Sequence, residues 1–269
     1  MAGRGVSADF VEALARGLDV ITVFSDMRPA MSLSEVASAA RLARPTARRL
    51  LLTLEELGFI RQDGSTFELT PKVLDLGYAY ISSLGLWQVA RPHLEDLVKH
   101  TGESSSMAQL SGSDIVYMAR VAVPKIIALR VEIGTRFPAE VTSQGKVLLA
   151  ALDDETLVET LAIPSNSRVV TARRDREELL DELKTVRAQG WALANEELAP
   201  GVRSIAAPVR DGSGRVRAAA NVTVHAAETT LEQLVDRHLP PLIAAAGRIS
   251  ADWKRLQDRP FEAVDEHLD

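Results

Sequence analysis

"SLSEVASAARLARPTARRLLLTLEELGFI" (Ser32 to Ile60) reads as two helices and the break between them. Ser32 and Glu35 have the spacing of a capping box: the serine hydroxyl can meet the amide three residues on, and the glutamate can reach back. Leu33, Val36, Ala37 and Ala40 then share one helical face. About three residues follow before Pro45, which suits the first turn of a second helix, where its missing N–H costs nothing. Ala47, Leu50, Leu51, Leu54 and Leu57 form an apolar stripe on that helix, and Gly58 is placed to end it. With the stripe turned inward, Pro45, Arg48, Arg49 and Leu52 face outward, with Thr46 and Thr53 on a flank.

Upstream, residues 7–25 have helical periodicity (Phe10, Val11, Leu14, Leu18, Ile21, Phe24), with Ser7 placed as a cap, and Pro29 ends the pattern. Downstream, Phe59–Arg61 and Thr66–Leu69 read as short strands around the turn pair Asp63-Gly64. Three helices and a hairpin, two of the helices joined by a tight turn, outline a winged helix-turn-helix. In that setting the second helix of the pair is the one that reads DNA. Arginine pairs bidentately with guanine, threonine meets a phosphate or a thymine methyl, and the first helical amides are open to phosphate. The expected DNA-binding residues are Arg44, Pro45, Thr46, Arg48, Arg49, Thr53 and, at the root of the wing, Arg61. A solvated basic face is the competing reading of the same residues.

The 269-residue chain carries a formal charge of −6, which bears little on this expectation because DNA responds to local charge. Residues 41–49 hold four arginines and no acid. Residues 1–85 carry nine basic and ten acidic side chains, so the acidic excess belongs mainly to the remainder, with 22 basic and 27 acidic. Cysteine is absent, which removes disulfides and thiolate metal sites and fits a reducing cytoplasm. No apolar run approaches the roughly 20 residues that span a bilayer, and no secretory signal opens the chain, so no membrane partner is expected.

Beyond the wing the chain is organised differently. Residues 70–86 read as a linker helix capped by Thr70, and a further helix follows over 87–100. Strands are expected on either side of the turn Ser111–Asp114, and "IIALRVEIG" (126–134) alternates as another. "TSQGKVLLAAL" opens as a helix, and Asp153–Leu161 and Asp175–Gln189 are helical. A hairpin turns at Asp211-Gly212-Ser213-Gly214, and Leu231–Leu256 closes the fold as a helix interrupted near Pro240-Pro241. The expected divisions are a DNA-binding domain over 1–69, a linker over 70–86, an α/β domain over 87–258 and a polar tail over 259–269.

The order and spacing of "SLSEVASAARLARPTARRLLLTLEELGFI", "LTPKVLDLGYAYISS", "GTRFPAEVTSQGKVLLA", "GWALANEELAPGVRSIAAPV" and "GRVRAAANVTV" resemble the IclR family of bacterial transcriptional regulators over nearly the whole chain. Within it, "LGYAYISS" and "GTRFPAEVTSQGKVLLA" look most like the branch regulating aromatic-acid catabolism, the PcaR and PobR type. The resemblance implies an α+β protein: a winged helix-turn-helix, a linker helix used in dimerisation, and a GAF-like effector-binding domain. It also implies a homodimer or homotetramer on double-stranded operator DNA, and a small-molecule carboxylate effector. Two positions depart from the pattern. Arg41 stands where many members have glycine, and a left-handed conformation there costs about 1 kcal/mol. Ala194-Asn195 stands where an acidic residue is common.

The positions matching the family's effector pocket are Ile126, Leu129, Ser143, Gln144, Ala194, Asn195, Val202, Ser204, Asn221 and Thr223. Part of this stands on chemistry alone. "TSQGK" offers donors at a helix N-terminus, where an anion is favoured, and Asn221 and Thr223, two apart on a strand, share a face. Arg130 and Arg136 are the candidates for the effector carboxylate, each with the alternative of a purely structural ion pair. Lys146 reads as structural or exposed. No G-x-S-x-G elbow, H-E-x-x-H pair or phosphate loop occurs, Ser213 lies in a hairpin turn, and the five histidines are scattered. No enzyme, cofactor or metal site is expected. The alternative left open is a ligand-binding or enzymatic GAF-like domain with an N-terminal protein-interaction module.

Overall fold

The computed structural model describes residues 9–25, 27–77, 85–124, 131–169 and 174–258. The chain divides into two compact units, residues 1–83 and 84–269. The expected positions Ser7, Ile126, Leu129 and Arg130, residues 78–84 of the linker helix and the tail over 259–269 lie outside the described residues.

In the first unit, α1 (Glu12–Thr22) leads to a short strand β1 (Ala30–Ser32), then α2 (Leu33–Ala39) and α3 (Arg44–Glu56). The wing is β2 (Ile60–Asp63) and β3 (Thr66–Leu69). The α2 capping box forms: Ser32 Oγ accepts from the Glu35 amide, and Glu35 Oε2 accepts from the Ser32 N–H at 2.8 Å. That bonding holds the Glu35 carboxyl below its ordinary pKa. At the far end of α3, Gly58 adopts φ +81° while the Phe59 amide donates to the Leu54 carbonyl, the reversal that ends a helix in glycine. Val20, Phe24, Met31, Val36, Leu51, Leu54, Ile60 and Phe67 make the core, so every element contributes. Each such side chain removed from water stabilises by about 2 kcal/mol.

Two sequence readings need correction here. The first helix begins at Glu12, with Val11 at its N-cap and no side-chain cap, rather than at residue 7. The segment around Pro29 also supplies a third strand, because β1 pairs antiparallel with β3 and places Met31 opposite Phe67. Residues 73–77 are helical.

The second unit is built on one antiparallel six-stranded sheet in the order β6-β5-β4-β9-β8-β7. The strands are β4 (Ser104–Ser111), β5 (Asp114–Val121), β6 (Arg136–Pro138), β7 (Ala192–Asn195), β8 (Val202–Arg210) and β9 (Val216–His225). Of the strand expected over 126–134, residues 131–134 are described and are not in a strand; β6 starts beyond it, at Arg136. One face is covered by α4 (Leu86–Thr101) and α8 (Leu239–Gln257): Leu94 and Leu97 of α4 pack with Leu242, Ile249 and Trp253 of α8 on Ile205, Val222 and Val224. The interruption before α8 is a π-helical turn, Leu234–His238, just ahead of Pro240 and Pro241.

The other face carries α5 (Ser143–Ala150), α6 (Asp154–Ala162) and α7 (Arg176–Gln189). Each is capped by the side chain before it: Thr142, Asp153 and Asp175 accept from amides of their first turns. α5 is buried along its whole length. It lies so close to the preceding 3-10 turn (Ala139–Val141) that a side chain at Gly145 would collide with the Ala139 backbone.

Candidate functional sites: an exposed basic helix and a polar pocket

On α3, Ala47, Leu51 and Leu54 are buried, and Arg44, Pro45, Arg48, Arg49, Leu52 and Thr53 are exposed. Pro45, Arg49 and Leu52 lie at the centre of the outward face, with Arg48 on one flank. Thr46, Arg49 and Thr53 border a groove between α3 and α1 that is otherwise lined mainly by Leu14, Leu18, Ile21, Leu50 and Leu57. The Thr53 hydroxyl is already committed to the Arg49 carbonyl, at 3.0 Å. Arg61 is not a free cation: its Nη2 lies 2.6 Å from Glu68 Oε2 across the wing, and this pairing raises its pKa.

The turn before α3 contains the feature the sequence flagged. Arg41 has φ +56°, one of two described non-glycine residues with positive φ. Its N–H donates to Ser38 O at 3.2 Å, and the Leu42 N–H donates to Ala37 O at 2.8 Å. That pair of bonds is a Schellman ending for α2, with arginine in the position glycine usually takes.

The polar pocket of the second unit lies between α5 and the sheet. Its lining includes Ser143, Gln144, Ala194, Val202, Ser204, Asn221 and Thr223, residues named together from the sequence. The expected shared face is present: Asn221 Nδ2 donates to Thr223 Oγ1 at 3.0 Å. Asn221 Oδ1 accepts from the Ser106 amide at 2.9 Å, and the Ser143 and Ser204 hydroxyls bond each other at 2.8 Å. Thr142 Oγ1 accepts from the Gly145 amide at 3.1 Å, leaving the first amides of α5 unused by the helix.

Two expected residues are elsewhere. Arg136 donates to the Ser111 hydroxyl at 2.9 Å and lies 3.9 Å from buried Asp114, so it ties β6 to the β4–β5 turn. Asn195 is exposed and accepts from Arg203 Nε at 2.7 Å. Lys146, read as structural or exposed, is fully buried. Its ammonium donates to Glu182 and Glu197 at 2.6 and 2.7 Å, and Arg174 bridges the same two glutamates at 2.6 and 3.1 Å. Burial acts against the Arg174 charge, but the glutamates outweigh it and raise the pKa.

The structure adds Tyr117, Arg120, Val131, Phe137, Val141, Thr142 and Leu198 to the lining. Arg120 matters most. Strict alternation along β5 would put it on the face opposite Tyr117. Instead the register slips: Ala119 pairs with Met107, whereas Tyr117 pairs with Ala108, leaving Met118 as an extra residue. The bulge turns Arg120 to the same side as Tyr117. Its Nη1 sits 3.4 Å from Ser106 Oγ, and among the described residues it has no carboxylate within ion-pair distance. Burial pulls its pKa down, with the Tyr117 phenol acting in the other direction. Burial likewise pushes Tyr117 up to about 12, so it stays a neutral phenol. The only sequence signal for Arg120 was a lone arginine in the apolar strand "IVYMARVAV".

A basic helix presented by a winged helix-turn-helix, with a separate polar pocket behind it in the chain, defines a DNA-binding protein with a ligand-binding unit. Comparison with known proteins narrows that class. Residues 13–64 match the IclR helix-turn-helix domain, and residues 78–251 match the C-terminal domain of bacterial IclR transcriptional regulators. The chain belongs to the IclR family of transcriptional regulators, proteins that bind DNA rather than catalyse a reaction. It is 42% identical over 240 residues to the Pca regulon regulatory protein of Pseudomonas putida, covering 88% of this chain and 82% of that one. A Rhodococcus sp. RHA1 protein described as a transcriptional regulator has a solved structure that matches with TM-score 0.77 and 45% identity, over 92% of this chain and all of that one. The inducer-binding domain of an Acinetobacter PobR double mutant, solved with 3-hydroxybenzoic acid, matches with TM-score 0.55 and 30% identity, over 61% of this chain and 96% of that one. Among the described residues no helix is long and apolar enough to cross a membrane, and no cluster of metal-ligating side chains occurs.

Proposed function

We propose that this regulator is controlled by a small aromatic carboxylate bound in the α5 pocket. The observation that carries the reading is Arg120, a partly buried guanidinium that has no carboxylate partner among the described residues and lines a pocket beside a helix N-terminus. A buried cation is stabilised by an anion, and arginine suits a planar carboxylate. Tyr117 and Phe137, packed edge to face at 5.7 Å, supply aromatic wall. The relative solved with 3-hydroxybenzoic acid supports the ligand class. Calorimetric titration of the full chain with 3- and 4-hydroxybenzoate tests it: wild type binds at least one of them, Arg120→Met loses it, and equal affinity in both proteins refutes the assignment.

Operator reading is assigned to Arg44, Pro45, Thr46, Arg48, Arg49 and Thr53, with Arg61 reduced to a secondary role by its pairing with Glu68. Arg48→Ala and Arg49→Ala are each expected to weaken binding to the upstream operator by roughly five- to a hundredfold if they read bases. Unchanged affinity in both would remove α3 as the reading helix. The active form is a homodimer or homotetramer in the cytoplasm, and the apolar residues Leu14 and Leu18, exposed on α1, are suited to covering by a second copy. The effector acts by binding one operator-affinity state more tightly than another.

A further inference from the structure

Gln144 is the second residue of α5 and is 1% exposed. Its Nε2 donates to two sheet carbonyls, Ala219 O at 2.9 Å and Ser106 O at 3.2 Å. Those bonds fix the amide's orientation, because the flipped form would set Oε1 against two oxygens. Oε1 is then left buried with no hydrogen-bond partner. The neighbouring pocket polar groups are engaged with one another: Asn221 with Thr223 and the Ser106 amide, Ser143 with Ser204. Among the described lining residues, two side chains stand out as lacking a partner of the kind they call for. Arg120 calls for an anion, and Gln144 Oε1 calls for a donor. A buried acceptor left unpaired costs stability, so a ligand that supplies the donor gains affinity over one that does not.

We infer that Gln144 is a specificity-determining residue, whose side-chain carbonyl accepts a hydrogen bond from a hydroxyl on the carboxylate effector and so selects hydroxy acids over their deoxy analogues. The inference rests on the reading of this pocket as the effector site. Arg120 holds the carboxylate whether or not the hydroxyl is present; Gln144 distinguishes the two ligands. A methoxy group in place of the hydroxyl is excluded for the same reason, since its oxygen has no proton to give.

The test is calorimetric titration of the full chain with 3- and 4-hydroxybenzoate, the two matching methoxybenzoates and benzoate, on wild type, Gln144→Met and Arg120→Met. The better hydroxybenzoate is expected to bind wild type roughly tenfold or more tighter than benzoate and its own methoxy analogue. In Gln144→Met that ratio collapses to within about threefold, while benzoate binds as before or loses little. Arg120→Met weakens all of them together. Gln144 also braces two sheet strands, so a purely structural role would lower every affinity in proportion and leave the ratio intact; that result overturns the inference. If Gln144→Met does not fold, the wild-type series decides alone, and benzoate binding as tightly as the hydroxybenzoates overturns it. If no benzoate of any kind binds wild type, the effector reading of the pocket falls and the inference with it.

Discussion

Arg41→Gly separates two consequences of one strained residue. Arg41 holds φ +56° at the end of α2, where its own N–H and that of Leu42 close the helix onto Ser38 and Ala37. A left-handed backbone costs a residue with a Cβ about 1–2 kcal/mol. Glycine escapes that strain, but its unfolded chain is more flexible, which takes back about 0.5–1 kcal/mol. The net expectation is a gain of about 0.5–1 kcal/mol. In a unit of this size that raises the melting temperature by roughly 3–6 °C. Scanning calorimetry of the full chain, with hydrogen exchange of the α2–α3 amides to localise the change, measures it. No gain in either readout refutes the strain account.

The same substitution removes a cation just ahead of the N-terminus of α3. Strain retained at an exposed arginine suggests that its side chain is used, and a phosphate of the operator is the partner its position and charge favour. Arg41→Gly is then expected to weaken operator binding at every sequence and to reduce the salt slope of log affinity by about 1. Arg41→Lys keeps both the strain and the charge, so stability stays at the wild-type level and the salt slope is preserved. A stabilised Arg41→Gly with an unchanged salt slope leaves the strain account standing and refutes the phosphate contact.

Gly145→Ala is expected to destabilise the second unit by about 3 kcal/mol, seen in calorimetry, because its methyl would meet the Ala139 backbone and force α5 away from the 3-10 turn. Burial alone would raise the pKa of Asp211, but bonds from Ser213, Arg217 and the turn amides bring it down to about 2. A depressed carboxyl stabilises the fold above its unfolded pKa, so Asp211→Ala is expected to lower stability at pH 7. The difference from wild type then shrinks as the pH falls from about 4 towards 2 in acid-unfolding curves. Glu197→Gln loosens the strand connection that carries Leu198 and is expected to raise the affinity for the preferred hydroxybenzoate by about three- to tenfold; a lower or unchanged affinity would show that the connection does not resist entry.

The local features were legible because local rules govern them. The Ser32–Glu35 box, the Gly58 helix end, the Thr142-led helix and the Asp211 turn each follow from residues within a few positions of one another. The common face of Asn221 and Thr223 was readable for the same reason, since a strand alternates. Arg120 was not readable, because its direction depends on a bulge at Met118 that only the pairing of β4 with β5 decides. Arg136 and Arg61 were plausible cations by sequence, and what removed them as free charges was Asp114, 22 positions away, and Glu68 across the hairpin. Lys146 shows the same limit: its two carboxylates come from α7 and from the turn after β7, distant in sequence. Sequence gives the residue type that a site needs; the register and the crossing elements decide which copy of that type is free.

The pocket's size gives its electrostatics a further meaning. The space open at its centre is about 30 Å³, room for about two waters and too little for a benzoate ring. An aromatic effector therefore enters only a widened form. α5 is an unpromising wall to move, since it is buried throughout and wedged on Ala139 through Gly145. The sheet wall is held by the Asn221 and Gln144 bonds. Leu198 is a boundary outside any helix or strand, one residue from Glu197, whose two oxygens engage Lys146 and Arg174. On the proposed reading those ion pairs would favour the narrow form, and an effector's contacts with Arg120 and Gln144 would favour a wider one. A ligand shifts an equilibrium only by its differential affinity for the two states. For an aromatic effector that difference would be the ring itself, which the narrow pocket excludes, so occupancy and widening would be the same event.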